Sequence, residues 1–378
     1  MNPSHKLLRE LIAIPSVNPA FLPPNDYRGG EQGLADYLAV IAGKSGLEVE
    51  FQKVFPGRKN ILIRLLPEGT PKRRIVLAPH MDTVGDAAMP ASMFQPTLKG
   101  NRLHGRGACD TKGSIAAMVT ALLEASRSSE RPKATEILFA GLVDEEHGQC
   151  GSRALAARGL KADLAIVGEP TLLKVVTAHK GDLWLRLETR GKSAHGARPE
   201  LGRNAVHAMS RIVDLLETEY AAQLRRRRHP LLAHPTINVG AIIGGTQPNI
   251  VPDRCSIEID RRTLPGETET SVGRELKAFL RKRRHEARLI NTKAAPCWPL
   301  ETSPSKPLVR EFVRAVGQTK PFGVDFFCDA AILAEGGVPS IVFGPGSIAQ
   351  AHTADEWISL PSLERATQLL TRFLLSQP

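Results

Sequence analysis

The chain has 378 residues, of which 42% are hydrophobic and 24% charged, the proportions of an ordinary folded protein rather than a disordered, collagenous or coiled-coil one. That length is large for one core, so two domains are expected, and no apolar run approaches the roughly 18 residues a membrane span needs. The net charge of +11 raises nucleic acid as a partner, but the basic runs RRRR (225–228) and KRR (282–284) adjoin expected helix ends and have few aromatic neighbours to stack bases. They are read as solvated helix faces; no nucleic acid is expected, and the excess charge serves at most to draw in small anionic substrates.

In chain order, the N-terminal MNPSHKLLRELIAIPSVNP lacks the basic, apolar and small-residue succession of a signal peptide. Leu7, Leu8, Leu11 and Ile12 instead mark a short amphipathic helix ended by Pro15. IVLAPHMDTV (75–84) follows: a buried strand, then His80 and Asp82 two residues apart. Taken alone, that pair is a solvated loop. HGRGACDTKG (104–113) sets Asp110 before a helical stripe of Ile115, Met118, Leu122 and Ala125, where an N-cap is its plainest use. Gly105 and Gly107 find no third glycine to complete a dinucleotide loop. EILFAGLV (136–143) stops at Asp144, Glu145 and Glu146, and LAIV (164–167) stops at Gly168 and Glu169.

From about 178 the pattern changes. DLWLRLETR (182–190) alternates like a half-exposed strand, RNAVHAMSRIVDLLETEY (203–220) has helical spacing, and TINVGAII (236–243) and CSIEIDRR (255–262) are strands. TSVGRELKAFLRKRR (270–284) is a helix and HEARLIN a last strand, giving the order β-α-β-β-α-β of a ferredoxin-like α+β unit. It is expected as a domain, 178–293, inserted into an α/β domain formed by 1–177 and 294–378, in which a mixed sheet is flanked by helices. SIVFGPG (340–346) returns to the first domain and leads to His352. The five scattered cysteines form no C-x-x-C pair and predict reduced thiols in the cytoplasm.

Strands alternating with helices collect their loops at the strands' carboxyl ends. If His80, Asp82, Asp110, Glu145, Glu146, Glu169 and His352 converge there, five carboxylates share one site and cannot all stay ionised uncompensated. A divalent cation supplies the compensation, and two supply more. Two imidazoles and several carboxylates suit zinc, and by ligand type cobalt and manganese too. Glu145 and Glu146 are consecutive and point differently, so one can bind metal while the other faces substrate.

The motifs APHMDTV, GRGACDTKG, LVDEEHG, VGEPT and AHTADEW, in that order, resemble the two-zinc amidohydrolase family of acetylornithine deacetylase and succinyl-diaminopimelate desuccinylase, together with aminoacylase and glutamate carboxypeptidase-type enzymes. The resemblance spans essentially the whole chain. It implies that His80 and Glu169 bind one Zn2+, that Glu146 and His352 bind the other, and that Asp110 bridges both, with a cis peptide often following such an aspartate. It further implies that Asp82 orients His80, that Glu145 is the general base, and that His195 in GKSAHGARP (191–199) binds the oxyanion, in related dimers entering the partner's site. GGTQPNIVPD (244–253) and IDRRTLPGE (259–267) match segments that hold a substrate carboxylate, assigning Asn249 and Arg262, with Arg261 expected to face the other way. GPGS (344–347) could add backbone N–H groups. Cys328 stands where many relatives have Thr or Ser beside the aspartate, here Asp329, which leaves nearby acyl contacts open.

The expectation is thus a cytoplasmic homodimeric hydrolase of N-acyl amino acids, acetylornithine deacetylase-like, with the inserted domain as lid and dimerisation unit. Succinyl-diaminopimelate desuccinylase or a dipeptidase or glutamate carboxypeptidase-type activity is the enzymatic alternative. A basic protein that only binds carboxylates or nucleic acid is the alternative outside enzymology, and Glu145 is a residue such a protein has no need to keep.

Overall fold

The apolar runs pair as one mixed sheet in the computed structural model, which describes residues 2–293 and 295–378. The chain divides into two compact units. One comprises Met1–Thr177, Thr302–Phe322 and Cys328–Pro378, and the other Ala178–Glu301 with Gly323–Phe327. The expected insert, 178–293, falls within the second.

In the first unit, strands run in the order Glu48–Phe55, Arg58–Leu65, Thr135–Gly141, Arg73–Pro79, Leu164–Gly168, Ser340–Val342. The first two form a hairpin and join the rest antiparallel, while the last four are mutually parallel. Thr135–Gly141 and Leu164–Gly168 are buried at every position. That is why they are written as unbroken apolar runs: a parallel strand covered on both faces has no solvent side to mark with polar residues. Helices Pro3–Ile12, Lys112–Arg127 and Leu360–Leu375 pack on one another, sharing a core of Leu8, Ile115, Leu122, Leu370 and Phe373. The register decides what emerges together. Pro79 pairs with Gly168, and His80 bridges to Leu142, so the residues just past three adjacent strands leave the sheet at one level.

In the second unit, strands Thr236–Gly244, Arg254–Thr263, Gly181–Arg190 and Arg288–Asn291 form an antiparallel sheet in that order. Alternate residues Leu183, Leu185 and Leu187, with Cys255, Ile257 and Ile259, meet Met209, Ile212, Val272, Leu276 and Phe279 from two helices. The first of these helices, Ala205–Leu215, passes through a π turn at Leu216–Tyr220 into Ala221–Arg225. The wider turn keeps Leu216, Tyr220 and Leu224, four residues apart, on the buried side beyond the expected end at 220. The basic runs are partly consumed internally: Arg227 pairs with Glu267 and Glu275, and Arg283 with Glu219. Among the described residues, no helix is long and apolar enough to cross a membrane.

His179, fully buried, donates from Nδ1 to the Lys180 carbonyl at 2.8 Å, while its Nε2 has no partner among the described residues. Burial lowers its pKa from 6.5 to about 4. The folded state therefore holds it neutral where the unfolded chain would protonate it. Its contribution is complete above pH 6.5 and is lost as pH falls towards 4, by about 2–3 kcal/mol. Replacing His179 with Asn, which can keep the donor, is expected to flatten that part of the acid limb. Denaturant midpoints of both proteins at pH 7 and 4.5 check it; equal pH slopes would reject it.

Candidate metal centre

The local sequence explains how the side chains converge. His80 and Glu169 follow strands Arg73–Pro79 and Leu164–Gly168 directly, and Asp144, Glu145 and Glu146 follow Thr135–Gly141 after two residues. Asp110 sits at the entry of helix Lys112–Arg127, ahead of a cis peptide to Thr111. His352 lies on the loop after Ser340–Val342. Asp144 and His352 take left-handed backbone angles, φ 71° and 59°, which asymmetric polar residues tolerate better than branched ones.

Two groups of potential ligands share Asp110: His80, Asp110 and Glu169 form one, and Asp110, Glu146 and His352 the other, with facing atoms within 4.8 Å inside each group. His80 Nε2 is 3.1 Å from Asp110 Oδ1 and 3.9 Å from Glu169 Oε1. His352 Nε2 is 3.4 Å from Asp110 Oδ2 and 3.2 Å from Glu146 Oε2. The two oxygens of Asp110 thus face different imidazoles. Glu145 stands outside both groups.

These residues suit divalent cations on their own terms. His80 Nδ1 lies 2.9 Å from the Asp82 carbonyl, so it carries the proton and donates. In the neutral ring, Nε2 would then turn a lone pair towards two carboxylates, a repulsion that a cation between them removes. Glu146 Oε1 and Glu169 Oε1 are buried with no hydrogen-bond partner among the described residues. Without an ion, protons take up the imbalance. Burial disfavours charged His80, yet Asp110, Asp82 and Glu169 hold its pKa well above the ordinary imidazole value. Hydrogen bonds to Asp110 and Glu146 raise that of His352 to about 10. Burial pushes Glu146 to about 6, and Glu169 and Glu145 well above the usual carboxylate range.

Asp82 departs from its expected use. Its carboxylate is 3.4 Å from His80 Nδ1, farther than its own carbonyl, and is spent mainly elsewhere. It accepts from Asn18 Nδ2 at 2.8 Å and from the backbone N–H groups of Glu145 and Glu146, each at 3.0 Å. Asn18 also donates to Asp144, and Glu31 accepts from Asp144 N and Arg58. This buried network fixes the Asp-Glu-Glu turn. Asn18 escapes sequence reading because its only local signal is an asparagine before Pro19, which reads as a cap.

In the second unit, the loops of His195 and Asn249 meet. His195 bridges to Ile250, and Gly196 N donates to Asn249 O at 2.7 Å. A Cβ on Gly196 would lie 2.9 Å from Asn249 backbone atoms, so only glycine allows this approach. Exposed His195 accepts from Ala197 N at Nδ1, which leaves Nε2 as the donor of the neutral ring. Arg261 is buried against Glu267, and Arg262 projects to the other side. There its guanidinium already forks onto Asp260, at 2.9 and 3.0 Å, so a substrate carboxylate would compete with an internal one. In GPGS, Gly344 N already donates to Thr171 Oγ1 at 3.1 Å, and Gly346 N faces Ser362 Oγ at 3.5 Å. Cys328 is a buried free thiol whose pKa burial pushes up, as befits packing rather than nucleophilic attack.

Known proteins resemble this chain along nearly its whole length. The sequence profile of peptidase family M20/M25/M40 matches residues 76–376. The acetylornithine deacetylase of Pectobacterium carotovorum is 32% identical over 98% of this chain and 97% of its own, and that of Myxococcus xanthus is 31% identical over 90% of each. An M20 family metallo-carboxypeptidase from Sulfolobus solfataricus has the same fold, with TM-score 0.76 at 20% identity over 99% of both chains. So does a Bacillus subtilis protein described as a dinuclear metal binding peptidase, with TM-score 0.71 at 13% identity over 98% of this chain and 96% of that one.

Proposed function

Given that the chain belongs to peptidase family M20/M25/M40, a family of metal-dependent hydrolases, we propose that it is a two-zinc deacylase cleaving the amide bond of N-acyl amino acids, with N-acetylornithine the leading substrate. The observation that carries this reading is the pair of ligand groups sharing Asp110, with Glu145 beside them and in neither.

His80 and Glu169 would hold one ion and Glu146 and His352 the other, with Asp110 shared between the two groups. Zinc fits the imidazole and carboxylate donors best, and Co2+ or Mn2+ is the alternative. Two such cations supply polarisation of the scissile carbonyl and acidification of the attacking water. The Glu145 carboxylate takes the water proton as the C–O bond forms, then passes it to the departing nitrogen as the C–N bond breaks. Free acid and free amine result. His195 offers a hydrogen bond from its Nε2–H towards the oxygen that gains charge, and Asn249 and Arg262 bind the carboxylate of the amino-acid portion, for which Arg262 exchanges its pairing with Asp260.

The second unit acts as lid and dimerisation domain. Its edge strand Thr236–Gly244 carries Ile242 and Ile243, 53% and 69% exposed, on a side with no neighbouring strand among the described residues. Such an edge is a ready site for pairing with a second copy. The scattered cysteines, with no C-x-x-C pair, fit the cytoplasm.

The test is release of free amine by the metal-loaded protein from N-acetylornithine, N-succinyl-diaminopimelate and a dipeptide panel. N-acetylornithine is expected to give a kcat/KM at least about tenfold above the others, a preference worth roughly 1.4 kcal/mol. Preference for the succinyl compound or for dipeptides would move the assignment within the family. Inactivity on every N-acyl amino acid would reject it.

A further inference from the structure

Two of the loops that carry potential metal ligands are fastened together by one buried ion pair. Glu356, 1% exposed, lies four residues after His352, and Arg106, 6% exposed, lies four before Asp110. Glu356 Oε2 accepts from Arg106 Nη1 and from Gly107 N, both at 2.8 Å. Its Oε1 accepts from Cys109 N at 2.8 Å and Asp110 N at 3.0 Å. In return Arg106 Nη2 donates to Thr353 O at 3.2 Å, and Gly105 N donates to Glu356 O at 3.0 Å. Every contact runs between 105–110 and 353–356, so the pair ties the Asp110 loop to the His352 loop.

The two ligand groups depend on this tie unequally. His352 belongs to one group only, and its side chain is 55% exposed, so the course of its loop decides where the imidazole stands. Asp110 has a further anchor on the other side: Thr111 Oγ1 donates to the His80 carbonyl at 2.9 Å. Loosening the bracket would leave Asp110 beside His80 while His352 drifts from both Asp110 and Glu146. A carboxylate serving only to cap a loop would lower stability without distinguishing the groups.

We infer that Glu356 and Arg106 are positioning residues that set the affinity of the Asp110, Glu146 and His352 group for its ion, separately from that of the His80, Asp110 and Glu169 group. The inference rests on the two-ion reading above.

The test is titration of the metal-free full chain with Co2+, followed by visible absorption and calorimetry, with metal analysis after dialysis against zinc-free buffer. Glu356→Gln is expected to keep the first equivalent within about threefold and to weaken the second by about 10–100-fold, the range for partners that orient ligands. The dialysed variant should then retain one ion where the unaltered chain retains two. Arg106→Lys, which keeps one charged donor, should fall between the two. Arg106→Met, which leaves the backbone contacts to Glu356 intact, repeats the measurement should Glu356→Gln fail to fold. Equal weakening of both equivalents, or two ions held at unaltered affinity in every variant, overturns the inference. An unaltered chain that takes up fewer than two ions overturns the two-ion reading and this inference with it.

Discussion

Replacement of Glu145 by Gln is expected to lower kcat by about 10³–10⁴-fold, the upper part of the range for a positioned proton carrier, while metal content stays at its unaltered value. The expectation follows from where the residue stands. Glu146, the next residue, lies 3.2 Å from His352 Nε2, but Glu145 contributes to neither ligand group. Burial together with the carboxylates of Glu169, Asp329 and Glu146 raises its pKa against the attraction of His80. A carboxylate in such surroundings is a stronger base than usual, which suits the acceptor of the water proton. The amide of Gln has the same shape and keeps the backbone N–H bond to Asp82, but it accepts no proton. Metal analysis and steady-state kinetics on one preparation check both halves of the expectation. If metal departs with activity, Glu145 is a ligand and the assignment of the base fails. A kcat within tenfold of the unaltered protein would remove it from proton transfer altogether.

Asp82→Ala has the largest expected effect on stability, about 3–5 kcal/mol, the usual cost of removing one partner from a buried charged network. Asp82 is fully buried, and its carboxylate receives Asn18 Nδ2 and the N–H groups of Glu145 and Glu146. Alanine strands three donors, each at about 1–3 kcal/mol when left without an acceptor, although relaxation keeps the total below their sum. For a unit of this size the melting temperature should fall by about 10 °C. Asp82→Asn keeps one acceptor oxygen and is expected to lose roughly half as much. Thermal melts of the metal-free proteins separate this contribution from that of bound ions. A change under 1 kcal/mol in the alanine variant would mean that the Asp-Glu-Glu turn holds itself.

The sheet was legible from sequence because its central strands are buried on both faces and so appear as apolar runs ending in acids or imidazoles. That pattern marks His80, Glu146 and Glu169 directly. It does not reveal which carboxylate faces which histidine; that division came from the family resemblance, and the structure brings the same residues into two groups. The strand Glu48–Phe55 was invisible because EVEFQKVF alternates only loosely and none of its residues is fully buried. The short strands Thr97–Lys99, Arg102–His104 and Trp357–Ser359 have too few residues for any period to show. Asn18, Arg106 and Glu356 share a different obstacle. Each is one polar residue in a loop, and its partners lie 64 to 250 positions away, so no local pattern records the pairing. The resemblance singles out Arg262 and strand alternation separates it from Arg261, but nothing in the pattern shows that Asp260, two residues earlier on the same face, already pairs with it.

The last strand of the central sheet carries a consequence for how the protein is made. Ser340–Val342 lies beside Leu164–Gly168, with Val342 opposite Val167, yet the ribosome delivers the two some 175 residues apart. Until Ser340–Val342 emerges, Leu164–Gly168 waits with one apolar edge open, and His352 does not yet exist. A chain cut short after Glu301 would therefore lose its centre, not its periphery, and would present a bare strand to other nascent copies. The second ligand group can form only once His352 has been made.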